Sequence, residues 1–518
     1  MKQRLLPRIA GLLLLAATAC ISACTTVGPD YRQPADALAS QPAAGAPFAE
    51  AKAAPFSSDE PPADWWRLYR DPELDRLVER ALQHNTDLRQ AVANLERERA
   101  IEAGVESRTR PGIKLSAEPA YGHVSGISEL APGYVPPNSW EYAASASLSY
   151  ELDLFGQVRR AIESSRATGE ATEAALDLVR INVAAGTASA YAEVCSTGLR
   201  LRSAEQSVRL QREALDISEK LQHAGRASVL DATRSRAQLE QLSAAVPPLE
   251  ARRQAALYRL ATLTGALPQE FPSEVADCAT PPRVAGLLPT GDGAALLRRR
   301  PDIRQAERSL AAATANIGVA TAELYPKVSL GLNGGSASLG NDVGGGDSYS
   351  WSVGPLISWT VPNTGAAQAR IAQADASAKA ALTRFDGTVL TALRETETAL
   401  DAYARELDRN AALQRARDQS AIAAQQAQKL YQNGRTGALD ALEAQRVLAT
   451  NEAALAASDA ELSKDQIVLF LALGGGWEKQ GSTAAALTTA GTDPSRAAPP
   501  RCHGQARTQN AAVRPACG

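Results

Sequence analysis

The chain has 518 residues, enough for several domains of ordinary size, but only 5% are aromatic, a single one is methionine, and alanine dominates. Alanine is the best helix former and lets neighbouring helices approach closely, so long helices are the first expectation. A formal net charge of −3 gives no reason to expect nucleic acid or an anionic surface as partner.

Lys2, Arg4 and Arg8 precede a short apolar segment at 9–19, and residues 1–23 read as a signal peptide. The segment is too short to span a membrane, and no other stretch reaches the ~20 apolar residues a span needs. Ile21-Ser22-Ala23-Cys24 places small residues just before a cysteine. This resembles the lipobox of bacterial lipoproteins and makes Cys24 the expected lipidation site. Cys20 is a second candidate, and an ordinary cleavage site beside a stray cysteine is the plain alternative. Thr25 stands where lipoproteins kept at the inner membrane commonly carry Asp, so the resemblance favours the outer membrane. Residues 24–64, rich in Ala and Pro, read as a lipidated extended tether.

From there the chain repeats itself. Asp87-Leu88-Arg89-Gln90-Ala91 returns 215 positions on as Asp302-Ile303-Arg304-Gln305-Ala306, and Pro111 returns as Pro326 at the same offset. Gly225-Arg226-Ala227-Ser228-Val229-Leu230-Asp231-Ala232 returns 209 positions on as Gly434-Arg435-Thr436-Gly437-Ala438-Leu439-Asp440-Ala441. Repeat 1 is placed at 65–275, a linker at 276–295 and repeat 2 at 296–477. The tail at 478–518 has the composition of a disordered segment.

Each repeat reads as helix, strand hairpin, long helix, turn, helix. In the first hairpin, about 113–154, Trp140, Tyr142, Ala144, Ala146, Leu148, Tyr150, Leu152 and Leu154 alternate with Glu141, Ser145, Ser147, Ser149, Glu151 and Asp153. The second, about 327–361, sets Tyr349, Trp351, Val353, Ile357, Trp359 and Val361 against Ser350, Ser352, Ser358 and Thr360. A half-buried soluble strand alternates too, but runs this long match the ~9–11 residues that cross a bilayer. Two hairpins give four strands, whereas a closed bacterial barrel needs at least eight. Copies of the chain must share one barrel, two or three of them.

Residues 157–246 and 366–433 contain no proline, and a helix over the second stretch would extend roughly 100 Å. Leu382, Phe385, Val389, Leu393, Leu400, Tyr403 and Leu407 form a coiled-coil-like stripe along it. Pro247-Pro248 should kink the return helix of repeat 1. Cys195 and Cys278 are free to bridge, which their spacing does not decide; with Cys502 and Cys517 they show no metal-ligand pattern. An enzyme is disfavoured. His84, His123, His223 and His503 sit in unrelated segments, Gly344-Gly345-Gly346 lacks the Lys that completes a phosphate loop, and Arg298 to Arg300 precede a helix begun by Pro301. Neither a cofactor nor a metal is expected.

Cys24-Thr25-Thr26-Val27-Gly28-Pro29-Asp30-Tyr31, Trp65-Trp66 with Asp71 and Leu74, Leu152-Asp153-Leu154-Phe155-Gly156, Arg299-Arg300-Pro301-Asp302, Ile317-Gly318-Val319-Ala320 and Leu473-Gly474-Gly475-Gly476-Trp477 follow one another in order. On these residues the chain resembles the TolC-like outer-membrane factors, in the lipoprotein branch that serves resistance-nodulation-division efflux pumps. The resemblance implies an α+β membrane protein: a homotrimer whose twelve-stranded β-barrel, four strands per chain, continues into a periplasmic α-helical barrel. It further implies outer-membrane lipid, a periplasmic membrane-fusion adaptor and an inner-membrane transporter as partners, and passive conduction of drugs or other small molecules. An exit duct for type I protein secretion is the alternative on the same fold. Val361-Pro362-Asn363-Thr364-Gly365 departs from the family, which often has an apolar-Phe-Asp stretch there.

The turns at Gly225 and Gly434 join long helices to their return partners and are expected at a closed periplasmic tip. Leu439, Glu443 and Arg446 share one helix face by spacing and match the family's constriction positions, although Asp is commoner where Glu443 stands. Their first-repeat equivalents are Leu230 and Arg234. Arg234 on one tip and Glu443 on the next are expected to latch a trimer's tips shut. Asp231 and Asp440 cap helices, meet the adaptor or face water; plain solvated faces are the alternative for all these charges.

Overall fold

The computed structural model describes residues 26–51, 55–123, 125, 133–271, 273–339, 345–359, 361 and 364–475. The 1–23 signal, Cys20, Cys24 and the 478–518 tail with Cys502, His503 and Cys517 lie outside the described residues.

Two helices open repeat 1, each started by a side-chain cap. The Asp71 carboxylate accepts from the Glu73 and Leu74 amides at 3.0 and 3.2 Å to begin α1 (Pro72–His84). The Asn85 side chain accepts from Asp87 and Leu88 at 2.9 and 3.1 Å to begin α2 (Thr86–Glu106). Then come strands β1 (Gly112–Gly122) and β2 (Ser139–Leu152), and the 67-residue α3 (Gln157–His223), about 100 Å long at 1.5 Å per residue. The return path is divided into α4 (Val229–Ser243) and α5 (Val246–Leu263). The break falls where Pro247 and Pro248 withhold their N–H groups, as the sequence requires.

Repeat 2 copies this order with α6 (Gly293–Arg299), α7 (Pro301–Ala322), β3 (Lys327–Leu339), β4 (Tyr349–Ser358), the 68-residue α8 (Gly365–Gln432) and an unbroken α9 (Ala438–Ala472). The stripe read on α8 is its inward face, with Phe385, Val389, Leu400 and Tyr403 buried.

The expected alternation overran the first hairpin. β2 ends at Leu152, and Asp153 leaves the strand to cap α3, its carboxylate accepting from the Val158 and Arg159 amides at 3.0 and 2.9 Å. A carboxylate here satisfies orphan amides at the helix's positive end, which outweighs one more strand pair. The second hairpin was likewise read too long, since β4 stops at Ser358 and the Trp359 indole donates to the Leu324 carbonyl at 3.1 Å.

The core lies where the repeats meet. Trp65 stacks on Phe470 with ring centroids 5.0 Å apart, among buried Leu74, Leu400 and Leu462. The linker is stitched to this core. Leu288–Pro289 pairs in parallel with Phe56–Ser57, and the Gln466 amide exchanges hydrogen bonds with the Val284 backbone at 3.0 and 3.2 Å. Cys278 closes a disulfide with Cys195 on α3, so the pairing that spacing left open does form. The expected tether is folded in part. Residues 26–51 include two 3-10 turns, bury Ala37 and Phe48, and hydrogen-bond to α8 through Asp386 and Glu397.

Candidate functional site

Two features remain unfinished in a single copy. The first is the sheet, a four-stranded antiparallel array in the order β1-β2-β3-β4. Its register aligns the apolar positions across every strand. Ile113, Leu148, Leu332 and Val353 form one row, and Leu115, Ala146, Gly334 and Trp351 the next. The alternate rows hold Lys114, Ser147, Asn333 and Ser352. The apolar face is bare, with Ile113 71% and Trp351 78% exposed. Tyr121, Trp140 and Tyr142 cluster toward the hairpin tip, and Phe155 stacks on Tyr325 at the base, centroids 4.5 Å apart. An apolar band between aromatic rims is what a bilayer selects. Each outer strand, β1 and β4, presents backbone donors and acceptors that lipid cannot satisfy.

The second feature is the pair of helix-hairpin tips. α3 and α8 end alike: Gly225 and Gly434 take φ of +71° and +67°, and the next amide reaches back to the Leu221 or Leu430 carbonyl at 2.8 and 2.9 Å. Only glycine adopts this left-handed turn without strain. The helices that leave the turns differ. Ser228 and Asp231 form a reciprocal capping box on α4, so capping is the role the structure gives Asp231. At the matching place α9 starts on Gly437 with no side-chain cap, and Asp440 accepts from the Thr436 hydroxyl.

Leu230 and Leu439 stand out from the tips, 55% and 51% exposed. Glu443 and Arg446 meet face to face through two hydrogen bonds of 2.6 and 2.9 Å. The Arg446 guanidinium holds the Glu443 carboxyl below the usual carboxylate range. Arg234 is exposed, and within one chain it makes no ion pair with the described residues. The structure therefore joins Glu443 to Arg446 and leaves Arg234 apart.

Sequence reasoning missed a clasp at the base of the sheet. Arg160, buried on α3, donates to the Val27 and Gly28 carbonyls at 3.1 and 3.0 Å and pairs with Asp30 and Glu163, each at 2.7 Å. Gly28 lies against Gly318 of α7, where a methyl group would stand 2.4 Å from the Gly318 Cα. Val27 donates to the Phe155 carbonyl at 3.1 Å. The motif glycines gave the signal, but one arginine among many in a helix does not announce a buried role.

Among the described residues no helix is long and apolar enough to cross a membrane, and no group of three or more His, Cys, Asp or Glu is placed to hold a metal ion. Comparison with known proteins supplies the family. The model for outer membrane efflux proteins matches residues 77–266 and 294–475. Nodulation protein T of Rhizobium leguminosarum bv. trifolii is 29% identical over 458 residues, 88% of this chain and 95% of that protein. The probable efflux pump outer membrane protein TtgC of Pseudomonas putida is 30% identical over 482 residues, 90% of this chain and 96% of its own length. A solved structure of the outer-membrane channel OprN superposes with a TM-score of 0.79 at 37% identity, covering 88% of this chain and all of that one. Channel proteins are thus its neighbours in both sequence and fold. The fold with its repeated hairpin and long helices superposes on such a channel, the family model covers most of the sequence, and this chain belongs to the outer membrane efflux protein family.

Proposed function

We propose that three copies of this chain close a twelve-stranded barrel through the outer membrane. With a periplasmic membrane-fusion adaptor and an inner-membrane resistance-nodulation-division transporter, they conduct drugs or other small molecules outward. The observation that carries this is the open edge on each side of the sheet, beside a bare apolar face. Four strands fall short of a closed barrel, and unpaired edges in lipid cost several kcal/mol per group. The long helices α3 and α8 then form the wall of a tube beneath it. The name of the efflux-pump relative supports outward transport as part of a pump.

Cys24 carries the lipid in this scheme. Cys24→Ser is expected to remove the acyl mass while leaving the barrel able to insert, and mass spectrometry of the mature N-terminus checks it. An unmodified Cys24 in the natural protein ends the claim.

The tips form the gate, with Leu230 and Leu439 narrowing it and Arg234 of one copy facing Glu443 of the next. Arg446 keeps Glu443 ionised and oriented. In planar bilayers the channel should conduct weakly. Glu443→Ala and Arg234→Ala should each raise single-channel conductance severalfold, and the double variant should add less than the two effects combined. No pores from the natural protein would overturn the channel. Pores with unchanged conductance in both variants would leave the channel standing and remove the latch.

A further inference from the structure

A cavity of about 700 Å³ lies between α3, the broken return helix of repeat 1 and α9. It occupies the bend of the break, with Leu242 lining it from before and Pro248, Leu249 and Arg252 from after. The repeat explains the space. At the positions matching Pro247 and Pro248, repeat 2 has Ala456 and Ala457, and α9 runs through them unbroken. Prolines lack the N–H a helix needs and clash with the preceding turn, so α4 cannot continue straight into α5. The offset leaves room that a continuous helix would fill.

The lining carries charge of one sign. Arg200, Arg252 and Arg446 reach the cavity, and none of the described residues lining it is a carboxylate. Arg252 is held by Glu193 at 3.4 Å and Arg446 by Glu443 at 2.6 Å, both acids standing outside the lining. Arg200 is partly buried and forms no ion pair with the described residues. Leu210, Leu242 and Leu249 supply an apolar wall. The Ser203 hydroxyl, also on the lining, is buried with no hydrogen-bond partner.

We propose that this cavity is a binding site for an amphiphilic organic anion, a drug-sized apolar body bearing a sulfonate, carboxylate or phosphate. The volume lies in the range that small-molecule sites occupy. A guanidinium meets an oxyanion through parallel charge-assisted hydrogen bonds, and the leucines take the apolar body out of water. Arg200, with no acid beside it among the described residues, disfavours a cation, and a neutral body leaves it unanswered. The site rests on the cavity alone and stands whether or not the tips form a gate.

The test is calorimetric titration of naphthalene-2-sulfonate into the full chain in lipid nanodiscs, beside neutral naphthalene-2-sulfonamide and empty nanodiscs. The sulfonate should bind saturably, one per chain, and the sulfonamide should not. Arg200→Ala should weaken binding about tenfold, the scale of one charge-assisted hydrogen bond. Pro247→Ala with Pro248→Ala should abolish it by letting the helix run on into the space. Glu443→Gln should tighten it about threefold by releasing Arg446, a change that a merely structural arginine would not produce. Equal binding of sulfonamide and sulfonate, or natural affinity in Arg200→Ala, would overturn the site.

Discussion

Leu148→Arg is expected to prevent the chain from reaching the membrane as a folded channel, while Ser147→Arg next to it is accepted. Leu148 sits between Ile113 and Leu332 in the middle of the apolar face, and Ser147 between Lys114 and Asn333 on the other. An arginine on the lipid side near the bilayer midplane costs about 2–4 kcal/mol per chain, and every copy in an assembly carries it. On the inner side the same arginine faces water, and its effect belongs to conductance. Fractionation with immunoblotting measures the share of each variant in the outer membrane. Equal recovery of both, or loss of Ser147→Arg alone, would mean the two faces have been assigned the wrong way round.

Cys195→Ser should cost about 2–4 kcal/mol of stability, because the bridge closes an 83-residue separation and removes that freedom from the unfolded chain. It also holds the linker on the buried side of α3, where Cys195 is fully enclosed. Denaturant midpoints should fall together in Cys195→Ser, in Cys278→Ser and in the reduced natural protein. The double variant should fall no further, since either change removes the whole bridge. Unaltered midpoints in the reduced protein would show that the linker is held without the bridge, by its hydrogen bonds to Gln466 and its pairing with Phe56–Ser57.

What could be read early was periodic or repeated. Strand alternation gave the two faces of the sheet, and the matched glycines gave the hairpin turns, because each is set by residues a few positions apart. Pro247-Pro248 announced the helix break for the same reason. Asp153 was misplaced because alternation cannot tell a last strand residue from a helix cap, and the orphan amides of α3 decided it. The Cys195–Cys278 pairing depends on a linker folding back across the core, which spacing does not encode. Arg160 is farther still from what local patterns report, since its partner Asp30 lies 130 residues away. At the tips, Glu443 and Arg446 share a helix face and their pairing followed from spacing, whereas Arg234 has its proposed partner on another copy.

The clasp at the sheet's base also fixes an order of events in folding. Asp30 waits for Arg160, Tyr31 for Glu307 at a separation of 276 residues, and Leu38 for Asp386 at 348. Contacts this remote form late, because the chain between them must be gathered first. The stretch from Asp30 to Leu38 is therefore among the last to find its place. The prolines in and beside it suit that delay: Pro29, Pro34, Pro42 and Pro47 keep the alanines there from running into a helix, so it can idle in water without recruiting the wrong neighbour.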